Sequence, residues 1–291
     1  MARAHPTMLG LAQPEVDVWS ERVTTALGMN PGLFTGPGTN TYLVGTGRRR
    51  ILLDTGQGRP EYLAVLERAL AHAGCEIQEI VLTHGHVDHI GGVAAVQGRF
   101  GPLRVSKLPW PGEDERYDVA LEPIGEDAVV RTEGATLRAV HTPGHAPDHL
   151  CFRLEEEGAL FTGDHVLGVG TTVINPDSGS LTDYMRSLEK LEREQPTRIY
   201  PAHGPLVADG TAKIREYLAH RRQREAQIVA ALTREPAPVA AVVARVYTDV
   251  PEVLHRAAAL SVTAHLLALE EAGRVVREGE GRPADARWRL A

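Results

Sequence analysis

Thr83-His84-Gly85-His86-Val87-Asp88-His89-Ile90-Gly91-Gly92 puts three histidines and one aspartate within six residues. The run begins at the end of Ile80–Thr83, whose β-branched and apolar residues predict a buried strand. His84 and His86 are two apart, so an extended backbone points both to one side. Gly85 leaves the chain room to turn between them, and Ile90-Gly91-Gly92 opens the next helix. Imidazole nitrogen and carboxylate oxygen are the donors that borderline divalent metals such as zinc accept. A polar surface loop is the bland alternative, and ligand-type residues this dense seldom arise in one.

Four residues in one loop do not complete two metal shells, so the remaining ligands are sought at other strand ends. Thr142-Pro-Gly-His145 follows a strand-like Leu137–Val140, Phe161-Thr-Gly-Asp164 follows Leu160–Thr162, and Tyr200-Pro-Ala-His-Gly204 follows Ile199-Tyr200. Each sets one ligand-type side chain in a glycine-lined turn. Thr41–Val44 and Ile51–Asp54 read as a hairpin through Gly45-Thr-Gly47 and Arg48 to Arg50, and Leu150–Leu154 as a further strand. Pro60 opens a helix with Leu63, Leu66 and Leu70 on one face. Thr182 is placed to cap a helix that carries Tyr184, Leu188 and Leu191. The mixture predicts a layered α/β domain.

The chain has 291 residues, a formal charge of −7 and 43% hydrophobic residues, which excludes a disordered or fibrous protein. Cys75 and Cys151 are the only cysteines, so neither a disulfide framework nor a cysteine–metal cluster is available. The N-terminal residues lack the apolar core of a secretion signal, and no apolar run is long enough to span a bilayer. A cytoplasmic protein without a membrane partner is expected. Residues 1–210 hold 18 basic and 28 acidic residues, and the remainder 13 basic and 10 acidic. That balance argues against strong non-specific nucleic-acid binding.

The shift in character divides the chain into a catalytic domain at 1–208 and a helical, winged-helix-like cap at 209–291. A polar helix is expected from about Asp209 to Ala231, with Arg221, Arg222 and Arg224 on a solvated face. Val239–Val246 and Pro251–Glu271 read as two more helices, and Val275-Val276 with Trp288–Leu290 as a small hairpin. The last helix sets His255, Arg256 and His265 against Glu252, Glu270 and Glu271. That composition suits packing, as a cap over the substrate entrance or a homodimer surface, better than reading of DNA.

The H-x-H-x-D-H run, followed in order by His145, Asp164 and His203 and preceded by Asp54, resembles the metallo-β-lactamase superfamily. Gly38–Val44, Glu133–Leu137, Asp183–Met185 and Tyr200–Pro205 extend the similarity, toward its glyoxalase II-like branch, over nearly the whole chain from about residue 20. The resemblance implies an αββα sandwich and two zinc ions, with manganese or iron as alternatives. It implies that His84, His86 and His145 hold the first metal, that Asp88, His89 and His203 hold the second, and that Asp164 bridges them. Asp54 and His149 would orient ligands from behind. Among the other histidines, His141 and His165 lie close to proposed ligands, whereas His5, His72, His220, His255 and His265 read as surface or packing residues.

The implied reaction is hydrolysis by a metal-bridging hydroxide, steered by Asp88. No serine elbow or exposed cysteine competes as nucleophile, since Phe161-Thr-Gly-Asp164 lacks a serine and Cys151 sits within a strand. The branch implies single-stranded RNA as substrate. A small thioester of the hydroxyacylglutathione type is the alternative, with β-lactams and lactones behind it. Gly85, Val87 and Ile90 stand where a relative in that branch carries a bulky aromatic, a basic and a small polar residue. The missing basic residue favours the thioester. Asn40, His165 and Tyr184 are the expected pocket residues, with Pro31–Asn40 and Gly168–Asn175 as pocket loops.

Overall fold

The computed structural model describes residues 11–248 and 255–291. His5 and the expected helix start at Pro251 and Glu252 lie outside them, as does the Arg256 side chain. Two compact units divide the chain. One comprises residues up to 142, 148–170 and 194–213, and the other 143–147, 171–193 and 214–291.

The first unit is built on two sheets. The larger runs in chain order through β1 (Val16–Ser20), β2 (Val23–Leu27), β3 (Asn40–Val44), β4 (Arg49–Leu53), β5 (Glu76–Val81), β6 (Val105–Lys107) and β7 (Glu122–Pro123). The smaller orders β12 (Ile199–Pro201), β11 (Ala159–Gly163), β10 (Leu150–Leu154), β9 (Ala135–His141) and β8 (Val129–Thr132). The expected hairpin forms, with Tyr42 opposite Leu53. Tyr42, Leu53 and Val81 from the larger sheet close one dry core with Leu137, Phe152, Phe161 and Tyr200 from the smaller. Tyr42 meets Phe161 edge-on with ring centroids 5.0 Å apart.

The outer face of the larger sheet is covered by α1 (Pro60–Ala73), α2 (Val87–Ile90) and α3 (Val93–Phe100). Helix α1 buries Tyr62, Val65, Leu66, Ala69 and Leu70. Leu63, expected on that face, is half-buried at its edge, because the stripe of a 3.6-residue helix centres between Leu66 and Val65 rather than toward Leu63. The strand β4 pairs in parallel with β5, and β11 with β12. Parallel pairing aligns the C-terminal ends within each pair. The Asn40 N–H donates to the Ala202 carbonyl at 2.7 Å and the Leu150 N–H to Thr83 at 2.8 Å, which joins the two sheets where those ends emerge.

The second unit contains α4 (Leu181–Arg193), most of α5 (Gly210–Ala231), α6 (Val239–Val246) and α7 (His255–Glu271). A three-stranded sheet orders β13 (Ala237–Pro238), β15 (Arg287–Leu290) and β14 (Val275–Glu278). Ile228, Val242, Val262, Leu266 and the fully buried Trp288 form its core. Two expectations are corrected here. Ser180 rather than Thr182 caps α4: its hydroxyl accepts from the Asp183 N–H at 3.1 Å, while Thr182 lies inside the helix and donates to Glu271 at 2.6 Å. Arg221 is not solvated but 3% exposed, donating to the Thr172 carbonyl and lying over the Tyr184 ring. Arg222 does face solvent, paired with Glu189 at 3.0 Å. Arg224 lies 4.0 Å from the centroid of Tyr247.

Candidate metal centre

Asp88, His89, Asp164 and His203 present ligand atoms that all lie within 4.8 Å of one another. They come from the start of α2, the end of β11 and the turn after β12. His203 Nε2 is 3.0 Å from Asp164 Oδ1 and 3.3 Å from Asp88 Oδ2. His89 Nε2 is 3.4 Å from Asp88 Oδ2 and 3.5 Å from Asp164 Oδ1, fully buried and without a hydrogen bond. A buried nitrogen without a hydrogen bond is costly unless something else meets its lone pair or proton. Two imidazoles and two carboxylates aimed at one point fit a divalent cation.

The electrostatics agree. Burial opposes the charge on Asp88, but His89 and His203 outweigh it and hold its carboxyl well below the usual range. Asp164 is likewise held low against its burial by His203 and His89. Burial pushes the His203 imidazole down, yet Asp164 and Asp88 overcome this and raise it to about 10. The carboxylates are thus ionised and ready to ligate at neutral pH.

His84 and His86 form a second pair of donors in the first unit. His84 Nε2 stands 2.9 Å from His86 Nδ1, while His84 Nδ1 meets the Thr83 hydroxyl at 3.0 Å. His145 Nδ1 is 3.0 Å from the Val173 carbonyl. Its turn needs Gly144, where φ is +131° and a Cβ would stand 2.3 Å from the Tyr184 nitrogen.

Residues 34–203 match the metallo-beta-lactamase superfamily. The chain belongs to that superfamily. It is a metallo-beta-lactamase-fold hydrolase, and residues 239–288 match the beta-lactamase associated winged helix domain. A "Beta-lactamase-like protein 2 homolog" of Drosophila melanogaster is 40% identical over 274 residues, covering 90% of this chain and 92% of that protein. An "Atrochrysone carboxyl ACP thioesterase" of Claviceps purpurea is 41% identical over 221 residues, 76% of this chain and 68% of that protein. A metallo-beta-lactamase family protein from Thermus thermophilus shares the fold with a TM-score of 0.76 at 24% identity, covering 94% of this chain and all of that one.

Asp54 follows β4 at φ +60°, a left-handed conformation uncommon outside glycine. Its carboxylate accepts from the Thr83 N–H at 2.8 Å and meets His89 Nδ1 at 2.8 Å. His149 is buried and braces Asp164, accepting its N–H through Nε2 at 3.2 Å, while His149 Nδ1 meets Thr142 Oγ1 at 2.9 Å. Of the expected pocket residues, Asn40 is 2% exposed and its amide donates to the Pro201 and Gly204 carbonyls, both at 2.9 Å. It therefore holds the turn that carries His203 rather than facing a substrate. Tyr184 and His165 are fully buried as well, so neither presents a surface to solvent.

Two contacts escaped the sequence reading. Thr39 donates its hydroxyl to Asp88 Oδ2 at 3.0 Å, and Asn30 holds Thr39 by two bonds of 2.9 Å. Lys107 and Asp148 form a buried ion pair near Gly85. A lone threonine or lysine at a strand end carries no local pattern that would have marked it.

Proposed function

We propose that this chain is a dinuclear zinc hydrolase that cleaves acyl thioesters. The observation that carries the metal half of the reading is the group Asp88–His89–Asp164–His203, with His84 and His86 in the same loop as Asp88. In this reading Asp88, His89 and His203 would hold one cation, His84, His86 and His145 would hold the other, and Asp164 would serve both. Divalent cations held there would supply Lewis acidity and acidify a water to a pKa of about 7. Asp88, charged and fixed by the Thr39 hydroxyl, would orient the attacking water as a hydrogen-bond acceptor. Asp54 keeps the Nδ1 proton on His89, so that Nε2 is the ligating atom.

The substrate half rests on the apolar surroundings. Leu33, Phe34 and Val87 are exposed large hydrophobics, at 47%, 57% and 48%. Val87 sits between two ligands in sequence, and the loop bearing Leu33 and Phe34 reaches the centre through Thr39 and through the Gly38 carbonyl, 3.3 Å from His203 Nδ1. Exposed apolar side chains there suit an acyl chain. The thioesterase among the relatives supports the same reading. Single-stranded RNA is the second reading, favoured by the winged-helix domain, a helix-turn-helix class of fold that seats nucleic acid in other proteins. Acidic charge over residues 1–210 and Val87 in place of a basic residue weigh against it.

The test is one screen of the zinc-loaded protein on acyl-carrier and glutathione thioesters beside labelled single-stranded RNA. Manganese- and iron-loaded samples, a chelated sample and an Asp88→Ala, His89→Ala variant accompany it. Metal-dependent thiol release that the variant lacks supports the proposal. RNA cleavage with the same dependence and no thiol release replaces it with the second reading. Equal turnover by protein and variant removes both.

A further inference from the structure

Lys107, at the end of β6, is fully buried. A buried ammonium persists only where charges and hydrogen bonds meet it. Here Nζ lies 2.6 Å from Asp148 Oδ2 and 2.7 Å from Asp114 Oδ1, and donates to the Leu108 carbonyl at 2.8 Å. All three side chains converge on Gly85, between His84 and His86. A Cβ at Gly85 would stand 3.3 Å from Asp148 Oδ2, 3.3 Å from Lys107 Cε and 3.4 Å from Asp114 Oδ1. The Gly85 backbone amide and the Lys107 ammonium both favour the charged Asp148 carboxylate against its burial. Asp114 in turn accepts the Trp110 N–H at 2.6 Å, and the Trp110 ring lies 5.9 Å from that of His86.

We propose that Lys107, Asp148 and Asp114 form a positioning triad that sets the backbone between His84 and His86, and with it the grip of these imidazoles on their cation. The triad touches no reacting atom. Asp148 fixes the peptide that separates the two imidazoles, Lys107 holds Asp148 in place, and Asp114 carries the restraint through Trp110 to the outer face of His86. Two ligands from one short loop reach one ion only if the intervening peptide keeps a single orientation, so an error there is felt as lost affinity at one metal and not at its neighbour. The inference rests on the reading that His84 and His86 hold a cation.

A purely structural ion pair would change melting temperature and leave metal binding alone, which separates the two roles. The full chain, Lys107→Met and Asp148→Asn are stripped with chelator and titrated with Co2+. Visible absorption reports ligand geometry, and competition with a chromophoric chelator gives both dissociation constants. The unaltered chain is expected to take up about two equivalents. In Lys107→Met one constant weakens by about 10- to 100-fold, as for other supports behind metal ligands, while the second stays within about threefold. Asp148→Asn shows a smaller loss, about tenfold, because the amide keeps the shape of the side chain and an oxygen dipole beside the Gly85 peptide. Circular dichroism checks that each variant folds, and Asp148→Asn decides alone if Lys107→Met does not. Unchanged constants and spectrum in the folded variants would overturn the triad. An unaltered chain that takes up no Co2+ would instead remove the metal reading beneath it.

Discussion

Asp54 and His89 are joined by a 2.8 Å contact between Oδ2 and Nδ1, with 3% and 0% of their side chains exposed. The contact assigns the two faces of one imidazole. Nδ1 is taken up by a carboxylate behind it, and Nε2 is left toward Asp88 and Asp164. The Asp54→Asn substitution keeps the shape and tolerates the left-handed backbone, but removes the charge that favours an Nδ1 proton. Metal affinity at this site is expected to drop about 10- to 100-fold with the fold retained. Isothermal titration of the stripped protein with zinc, beside its circular dichroism, checks both halves.

The metal-free protein should lose stability in alkali. His203 is raised to about 10, because Asp164 and Asp88 outweigh its burial. A base raised in the folded state contributes stability that is complete below its unfolded pKa of about 6.5 and is lost as pH climbs toward the folded value. Ligation requires the neutral imidazole and gains with pH over the same window. Between about pH 7 and pH 10 the melting temperature of the chelated protein is expected to fall while the rise on adding zinc grows. Scanning calorimetry with and without chelator measures both, and His203→Gln should flatten the chelated curve.

The second unit should weaken in acid. His265 is 1% exposed, and burial first, then the charges of Arg221, Arg224 and His220, lower it to about 3. Glu216, beside His220, pulls the other way. The unfolded chain takes up a proton near pH 6.5 that the folded unit refuses, so stability falls as pH drops from there toward about 3. The loss at pH 5 is about 2 kcal/mol. Hydrogen-exchange protection along α7 at pH 7 and pH 5 reads it, and His265→Leu should remove the difference.

Gly92→Ala should disturb the centre without touching a ligand. A Cβ there would stand 2.0 Å from the Thr55 carbonyl oxygen, which is backbone and has no rotamer to yield. The segment after Asp54 must move, and with it the bond from the Thr55 N–H to the His89 carbonyl, now 2.9 Å. A destabilisation of about 1–3 kcal/mol is expected from such overpacking, with a weaker hold on metal at His89. Urea unfolding and metal titration of the variant check the pair of effects.

The candidate ligand residues stood out in the sequence because each sits in a short pattern with its own chemistry. His84, His86, Asp88 and His89 lie in one run, and His145, Asp164 and His203 each lie in a glycine-bearing turn after an apolar strand. The strands were legible for the same reason, and β10 spans the residues expected of it. Side-chain environment was not. Arg221 looked solvated beside Arg222 and Arg224 because helical spacing tells which residues share a face but not what that face packs against. Asn40 looked like a pocket residue because it ends a glycine-rich loop, yet strand pairing turns its amide toward the Pro201 and Gly204 carbonyls.

Donor types, the order in which they occur and the strand–turn units that carry them follow from the chain alone, because they depend on neighbours a few residues apart. Convergence of those units is a different matter. It depends on the parallel pairing of β4 with β5 and of β11 with β12, and on a core in which Tyr42, Phe161 and Tyr200 interlock. Only that packing brings Asp88 within hydrogen-bonding reach of Thr39, forty-nine positions away, and buries Lys107 between Asp114 and Asp148. Such contacts join residues whose sequence separation carries no period, so the tertiary structure alone decided them.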